Sequence, residues 1–175
     1  MAKEGNLLVT FDPAHHESAL KEISELLKEI KEKADILKAE EGVAEILVKD
    51  ARKSVKNLVD IGSKDAGKFA YTSCWTPIDK WCKNSVEDMQ KTIKGFVKEI
   101  KQNEKWKMDL KVRKVKEKPD EIKLIMNLTE VVDKPNVDLH NPDRIIKVEI
   151  IGNRAGLALL GRDELLNAVK LKQQK

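Results

Sequence analysis

Lysine and arginine are the residues through which this 175-residue chain has most chemistry to offer, and they are unevenly placed. From Lys80 to Lys118 thirteen basic residues stand against six acidic ones, an excess of seven, while the rest of the chain carries an excess of three acidic charges. Within that segment Lys107, Asp109, Lys111 and Arg113 alternate with Trp106, Met108, Leu110 and Val112. Period-two alternation predicts a strand with one apolar and one wet, mostly cationic face. Continued by Lys114, Lys116 and Lys118, such a strip suits the neutralisation of phosphates and the release of their counterions. A solvated lysine-rich face is the plainer alternative. Lysine outnumbers arginine, which favours contact with phosphate backbone over bidentate reading of bases. Trp81 sits between Lys80 and Lys83, where an indole either stacks on a base or packs into the fold.

Other chemistry is harder to assemble. Gly62-Ser63-Lys64-Asp65-Ala66-Gly67-Lys68 follows the phosphate-loop spacing until its last position, where Phe69 replaces the magnesium-binding hydroxyl. The residues after it read as a strand and not as the helix whose N-terminal amides would hold phosphate, so the segment is expected to be a turn. His15 and His16 are adjacent and point apart on a helix, without further ligands nearby in sequence. Cys74 and Cys82 form no metal or redox motif and are expected to pack as small apolar residues in a reducing compartment. No catalytic residue, metal site or cofactor is nominated.

The elements that must position these residues can be read from apolar spacing. Leu7 to Phe11 reads as a buried strand, and Asp12-Pro13 as the start of a long, acidic amphipathic helix carrying Leu20, Ile23, Leu27, Ile30, Ala34 and Leu37. Val43 to Val48 is a second strand, and Asp50 caps a helix that Gly62 is expected to end in the left-handed conformation. A strand from about Phe69 to Thr76, expected to bear Trp75 where the two halves meet, closes a βαβα unit, a ferredoxin-like or related small α/β sandwich. After Pro77, Ser85 and Asp88 form a capping box for a helix with Met89, Ile93, Phe96 and Ile100 inside. Pro119-Asp120-Glu121 starts a further helix, and Arg144–Ile151 with Arg154–Leu160 forms a hairpin about Gly152-Asn153. Arg154 joins the candidate phosphate contacts, with Arg144 and Lys147 added if their faces are wet.

Val137-Asp138-Leu139-His140-Asn141-Pro142, followed by the Val148-Glu149-Ile150 strand and its closing hairpin arm, resembles the C-terminal signature of the THUMP domain. The order of helix, basic strand, helix and hairpin agrees over roughly Lys64 to Arg162. The resemblance implies a mixed α/β (α+β) chain: an N-terminal ferredoxin-like domain over residues 1–66, its closing strand at about 67–77 shared, then a THUMP domain over 67–163 and a short helix or tail over 164–175. It also implies RNA binding. With thirteen residues after the module no fused catalytic domain is expected, and Pro77 and Cys82 are spaced as in stand-alone THUMP proteins. Those proteins bind tRNA as adaptors for an RNA cytidine acetyltransferase that makes N4-acetylcytidine. The expectation is therefore a non-enzymatic, cytoplasmic tRNA-binding protein with a modifying enzyme as partner, and with no membrane association. The expected RNA contacts are Lys80, Lys83, Lys107, Lys111, Arg113, Lys114, Lys116, Lys118 and Arg154, and the acidic first helix is the expected docking face for the partner. A structural or protein-interaction module with only generic polyanion affinity is the alternative.

Overall fold

The computed structural model describes residues 3–173. In chain order the first elements are β1 (Leu7–Phe11), α1 (His16–Glu29), β2 (Ala34–Glu40), β3 (Val43–Val48), α2 (Ala51–Lys64) and β4 (Thr72–Pro77). There follow β5 (Lys80–Lys83), α3 (Val86–Val97), β6 (Trp106–Arg113), α4 (Glu121–Thr129), β7 (Arg144–Ile151) and β8 (Arg154–Leu160). The last are β9 (Leu166–Asn167) and α5 (Ala168–Gln173). The chain divides into two compact units, one formed by Met1–Ile78 with Asp163–Lys175 and the other by Asp79–Arg162.

The first unit holds a sheet in the order β2-β3-β1-β4-β9, every neighbour antiparallel. Up to β4 the chain order is β-α-β-β-α-β, that of a ferredoxin-like unit, with one more strand than the apolar spacing indicates. The difference lies in the long first helix. It ends at Glu29, because Lys31 adopts a left-handed conformation (φ 59°) and the amide of Glu32 donates back to Leu27 O at 2.9 Å, closing the last turn. Ala34 and Leu37 then belong to the edge strand β2, which joins β3 through Glu41 (φ 51°) and Gly42 (φ 82°). Two consecutive left-handed residues make the hairpin turn whose twist suits the strands. Glycine is required at 42, since a Cβ there would lie 2.5 Å from Phe11 O.

A second departure concerns Gly62. It is helical and buried within α2, and a Cβ at this position would lie 2.6 Å from Leu171 Cδ1 and 3.2 Å from Phe69, so glycine serves close packing and not helix termination. The phosphate-loop look-alike around it is the end of α2 and a short 3-10 turn, Ala66–Lys68. Trp75 is fully buried in this unit's own core, its Nε1 donating to Thr72 Oγ1 at 3.0 Å and its ring edge-on to Phe69. Its place is therefore in the core of the first unit. The strand β4 that carries it pairs with β1 on one side and β9 on the other, so the first unit takes the whole closing strand and the C-terminal residues as well.

In the second unit the sheet order is β5-β8-β7-β6, with β6 and β7 parallel and joined through α4. One face packs on α3 and α4: Met89, Ile93 and Phe96 of α3 and Leu124 and Leu128 of α4 share a core with Trp106, Met108, Leu110, Ile146, Val148 and Ile150. Gly152 (φ 63°) is the first residue of the two-residue β7–β8 turn, the glycine-first geometry expected for it. Ser85 caps α3, accepting from Asp88 N at 3.2 Å while its Oγ donates to the Asp88 carboxylate at 2.8 Å. Replacing Ser85 by alanine is expected to cost about 1 kcal/mol of stability in urea unfolding; an unchanged midpoint would show that water takes over the cap. Among the described residues no helix is long and apolar enough to cross a membrane.

Candidate nucleic-acid interface

Residues paired directly across a sheet share a face, so the strand register states which basic side chains stand together. Lys83 pairs with Arg154, Arg154 with Ile151, and Ile151 with Arg113. This row crosses all four strands at one end of the sheet with three cations in it. The next row on the same face is Trp81, Gly156, Glu149 and Lys111. Beyond it come Ala158, Lys147 and Asp109, and then Leu160, Ile145 and Lys107. Five of the nominated residues, Lys83, Lys107, Lys111, Arg113 and Arg154, thus lie on the face opposite α3 and α4, although they come from three separate strands.

The centre of that face is closed. The Lys147 side chain is 4% exposed and that of Glu149 is 3% exposed. Lys147 Nζ lies 2.9 Å from Asp109 Oδ2 and 3.2 Å from Glu149 Oε1, and Arg113 pairs with Glu149 from the other side. Asp109, Lys147, Glu149 and Arg113 form a ladder of alternating charge across β6 and β7. Burial alone would push the Asp109 carboxyl up, but the ammonium of Lys147, helped by Lys111 and Lys107, outweighs it and holds the carboxyl below its usual value. Burial likewise disfavours charge on Lys147, but Glu149 and Asp109 overcome this and raise its pKa.

This arrangement corrects the expectation of a wet cationic strand. Arg113 is committed to Glu149, and Lys147 is closed off and fully paired. Arg144 shares the helix-side face of β7, half-buried, with Glu104 at 3.9 Å. Lysines available to a ligand lie around the ladder: Lys111 exposed on β6, Lys83 exposed on β5, and Lys116 and Lys118 exposed in the segment that leads to α4. Lys107 is half-buried at the far end of the face, and Lys114, half-buried and left-handed (φ 58°), turns the chain out of β6. Lys80 is exposed on the edge strand, but alternation aims it away from Lys83. The basic residues therefore ring one end and one edge of the sheet in place of a single linear strip. A ring of cations about a face is still a phosphate-binding arrangement, because counterion release depends on how many phosphates are met and not on their collinearity.

One contact was invisible in the sequence. The Arg154 guanidinium carbon lies 3.9 Å from the Trp81 ring centroid, bringing together residues 73 positions apart. Cys82, on the opposite face, packs against the core, and burial pushes its thiol up, as befits an unreactive cysteine.

The Val137–Pro142 turn is held by Asp138, whose Oδ1 accepts from the amides of His140 and Asn141, both at 2.9 Å. These backbone donors keep the Asp138 carboxyl below its usual value. Trp106 anchors the turn from β6: its amide donates to Asn136 O at 2.9 Å, its carbonyl accepts from Asp138 N at 3.0 Å, and its indole donates to Lys134 O at 3.1 Å. Just beyond, Asp143 takes Lys105 N at 2.9 Å and Arg162 at 2.8 Å, tying the entry of β7 to that of β6.

Among solved structures with this fold is PH1313 from Pyrococcus horikoshii Ot3, 18% identical, with a TM-score of 0.64 over 92% of this chain and 54% of that one. TrmN from Thermus thermophilus is 16% identical, with a TM-score of 0.55 over 87% of this chain and 44% of that one. A possible methylase from Clostridium difficile 630 is 9% identical, with a TM-score of 0.56 over 90% and 41%. The chain thus spans about half the length of these proteins, and at such identity the likeness is one of fold. No protein of curated function matches the sequence. Residues 83–160 match the THUMP domain, a type of domain that points to RNA binding in tRNA modification. The matched segment begins with Lys83 in β5 and ends with Leu160, the last residue of β8, so the cationic row, the charge ladder and the Asp138 turn all lie within a THUMP domain.

Proposed function

We propose that the chain is a non-catalytic tRNA-binding protein that presents its RNA to a separate modifying enzyme, an RNA cytidine acetyltransferase forming N4-acetylcytidine. One observation carries the RNA part of this reading: the THUMP match covers the same strands whose register gathers Lys83, Arg154, Arg113 and Lys111 at one end of a sheet. Lysines dominate the exposed part of that ring, and ammonium groups hold phosphates as point charges without naming a base. Recognition would then rest on RNA backbone and shape, which suits a protein that carries a folded RNA to an enzyme that chooses the nucleotide. The identity of the enzyme follows the resemblance to stand-alone THUMP proteins.

The test is a titration of the full chain with total tRNA at two salt concentrations, with a DNA duplex of similar length as competitor. Binding that weakens steeply with salt and resists the DNA supports the reading, because the 2′-hydroxyl and A-form geometry are then being recognised. Equal competition by DNA would reduce the surface to a generic polyanion site. Formation of N4-acetylcytidine when purified acetyltransferase is added, and its dependence on this chain, tests the partner.

A further inference from the structure

Trp81 and Arg154 offer a binding feature that phosphate contacts do not use. Trp81 faces Gly156 across β5 and β8. Arg154, two residues before Gly156, points to the same side and sets its guanidinium over the indole at 3.9 Å from the ring centroid. The two planar groups, both half-buried, lie together at the end of the sheet that carries exposed Lys83, which is register-paired with Arg154. A stack of indole and guanidinium presents flat, polarisable, cationic surface of nucleobase size, and every base has a face to lay on it. A base inside an A-form duplex already has both faces covered. An unpaired one does not.

We propose that the Trp81–Arg154 pair is a stacking platform for an unpaired nucleotide, with Lys83 taking the adjoining phosphate. The inference rests on the RNA-binding reading and sharpens it: the ligand at this end of the sheet is single-stranded, not a helix. Lys83 supplies charge, Trp81 and Arg154 supply plane, and the contributions separate experimentally because only charge contacts enter the salt dependence.

The experiment uses the full chain, a tetra-adenylate RNA and a blunt RNA duplex, read by tryptophan emission. Trp75 is 0% and Trp106 4% exposed, so quenching on binding reports Trp81. Trp81→Leu is expected to weaken the tetranucleotide about tenfold, in the range for loss of one stacked base, with the salt slope unchanged and duplex affinity unmoved. Trp81→Phe should keep most of the affinity while abolishing the quenching. Arg154→Lys, which keeps the charge and loses the plane, should weaken the tetranucleotide and not the duplex. Equal weakening of both RNAs by Trp81→Leu, or loss of thermal stability with no change in binding, would mean that the pair only braces the edge strand. Salt-dependent tRNA binding by wild type combined with either result overturns the platform and leaves the RNA-binding reading standing. Absence of tRNA binding by wild type overturns both.

Discussion

Replacing Lys147 by methionine is expected to cost the protein about 3 kcal/mol, because breaking a buried pair from one side leaves uncompensated charge behind. Lys147 is the middle of the ladder, within 3.2 Å of both Asp109 and Glu149, and without it two carboxylates face each other with Arg113 paired to Glu149 and the more distant Lys107 and Lys111 beside Asp109. Urea unfolding at neutral pH measures the loss. A cost under about 1 kcal/mol would show that Arg113, Lys107 and Lys111 suffice. The triple change Asp109→Leu, Lys147→Met and Glu149→Leu should recover much of the stability, since apolar groups of similar size replace a buried ion cluster at little cost.

The pH dependence of the same site has a definite sign. Asp109 is held below its usual value in the folded state, so its contribution is present above the unfolded carboxylate range and is lost as pH falls below about 4. Lys147 is raised, so its contribution is present below the unfolded value and is lost as pH rises past about 10.4. Between these limits the contribution of Asp109 and Lys147 is flat. In Lys147→Met the Asp109 carboxyl loses the ammonium that holds it down, and protonating it relieves the site. The stability gap between wild type and variant should therefore narrow as pH falls below about 4.

The second large effect concerns RNA affinity. Changing Lys83, Lys111, Lys116 and Lys118 together to alanine removes the exposed cations around the face and should lower the salt slope of tRNA binding by about 3, at 0.7–0.9 per phosphate contact. Exposed lysines contribute little to stability, so the variant should unfold where wild type does. Arg113 is left in place because its loss would unpair Glu149 and confuse folding with binding. An unchanged slope would place the RNA on another surface of the protein.

Much of this architecture was legible in the sequence. The caps at Asp50 and Ser85 hold in the structure, since each depends on a local side chain reaching an amide three residues on, whereas Asp12 caps the short 3-10 turn Pro13–His15 that leads into α1, and Asp120, not Pro119, opens α4 as its cap. The alternation of Trp106 to Arg113 located β6, and the glycine-first turn located the β7–β8 hairpin. What escaped was decided at a distance. Ala34 and Leu37 keep helical spacing, and only the left-handed Lys31 and the turn at Glu41-Gly42 break the helix and fold β2 back onto β3. The four-residue β5 is too short to show a period. The expected wet face failed for a related reason: β6 alone could not reveal that β7 sets Lys147 and Glu149 beside Asp109 and Arg113. The Trp81–Arg154 contact depends on two registers at once and had no local signal at all.

The return of the chain to its first unit has a consequence for the order in which the protein is made. Asp79–Arg162 is an insertion within the other unit, which leaves off at Ile78 and resumes at Asp163. A ribosome therefore completes the inserted unit before β9 exists, and the outer edge of β4 stays unpaired until Leu166 and Asn167 emerge. Deleting the residues after Arg162 should accordingly damage the N-terminal unit, which loses buried Leu166 and Ala168 and the Leu171 contact over Gly62, while sparing the strands that bear the cationic ring. In this protein the sequence-distal end finishes the unit begun at the start, and newly made chains pass through a stage with a bare strand edge that later residues must cover.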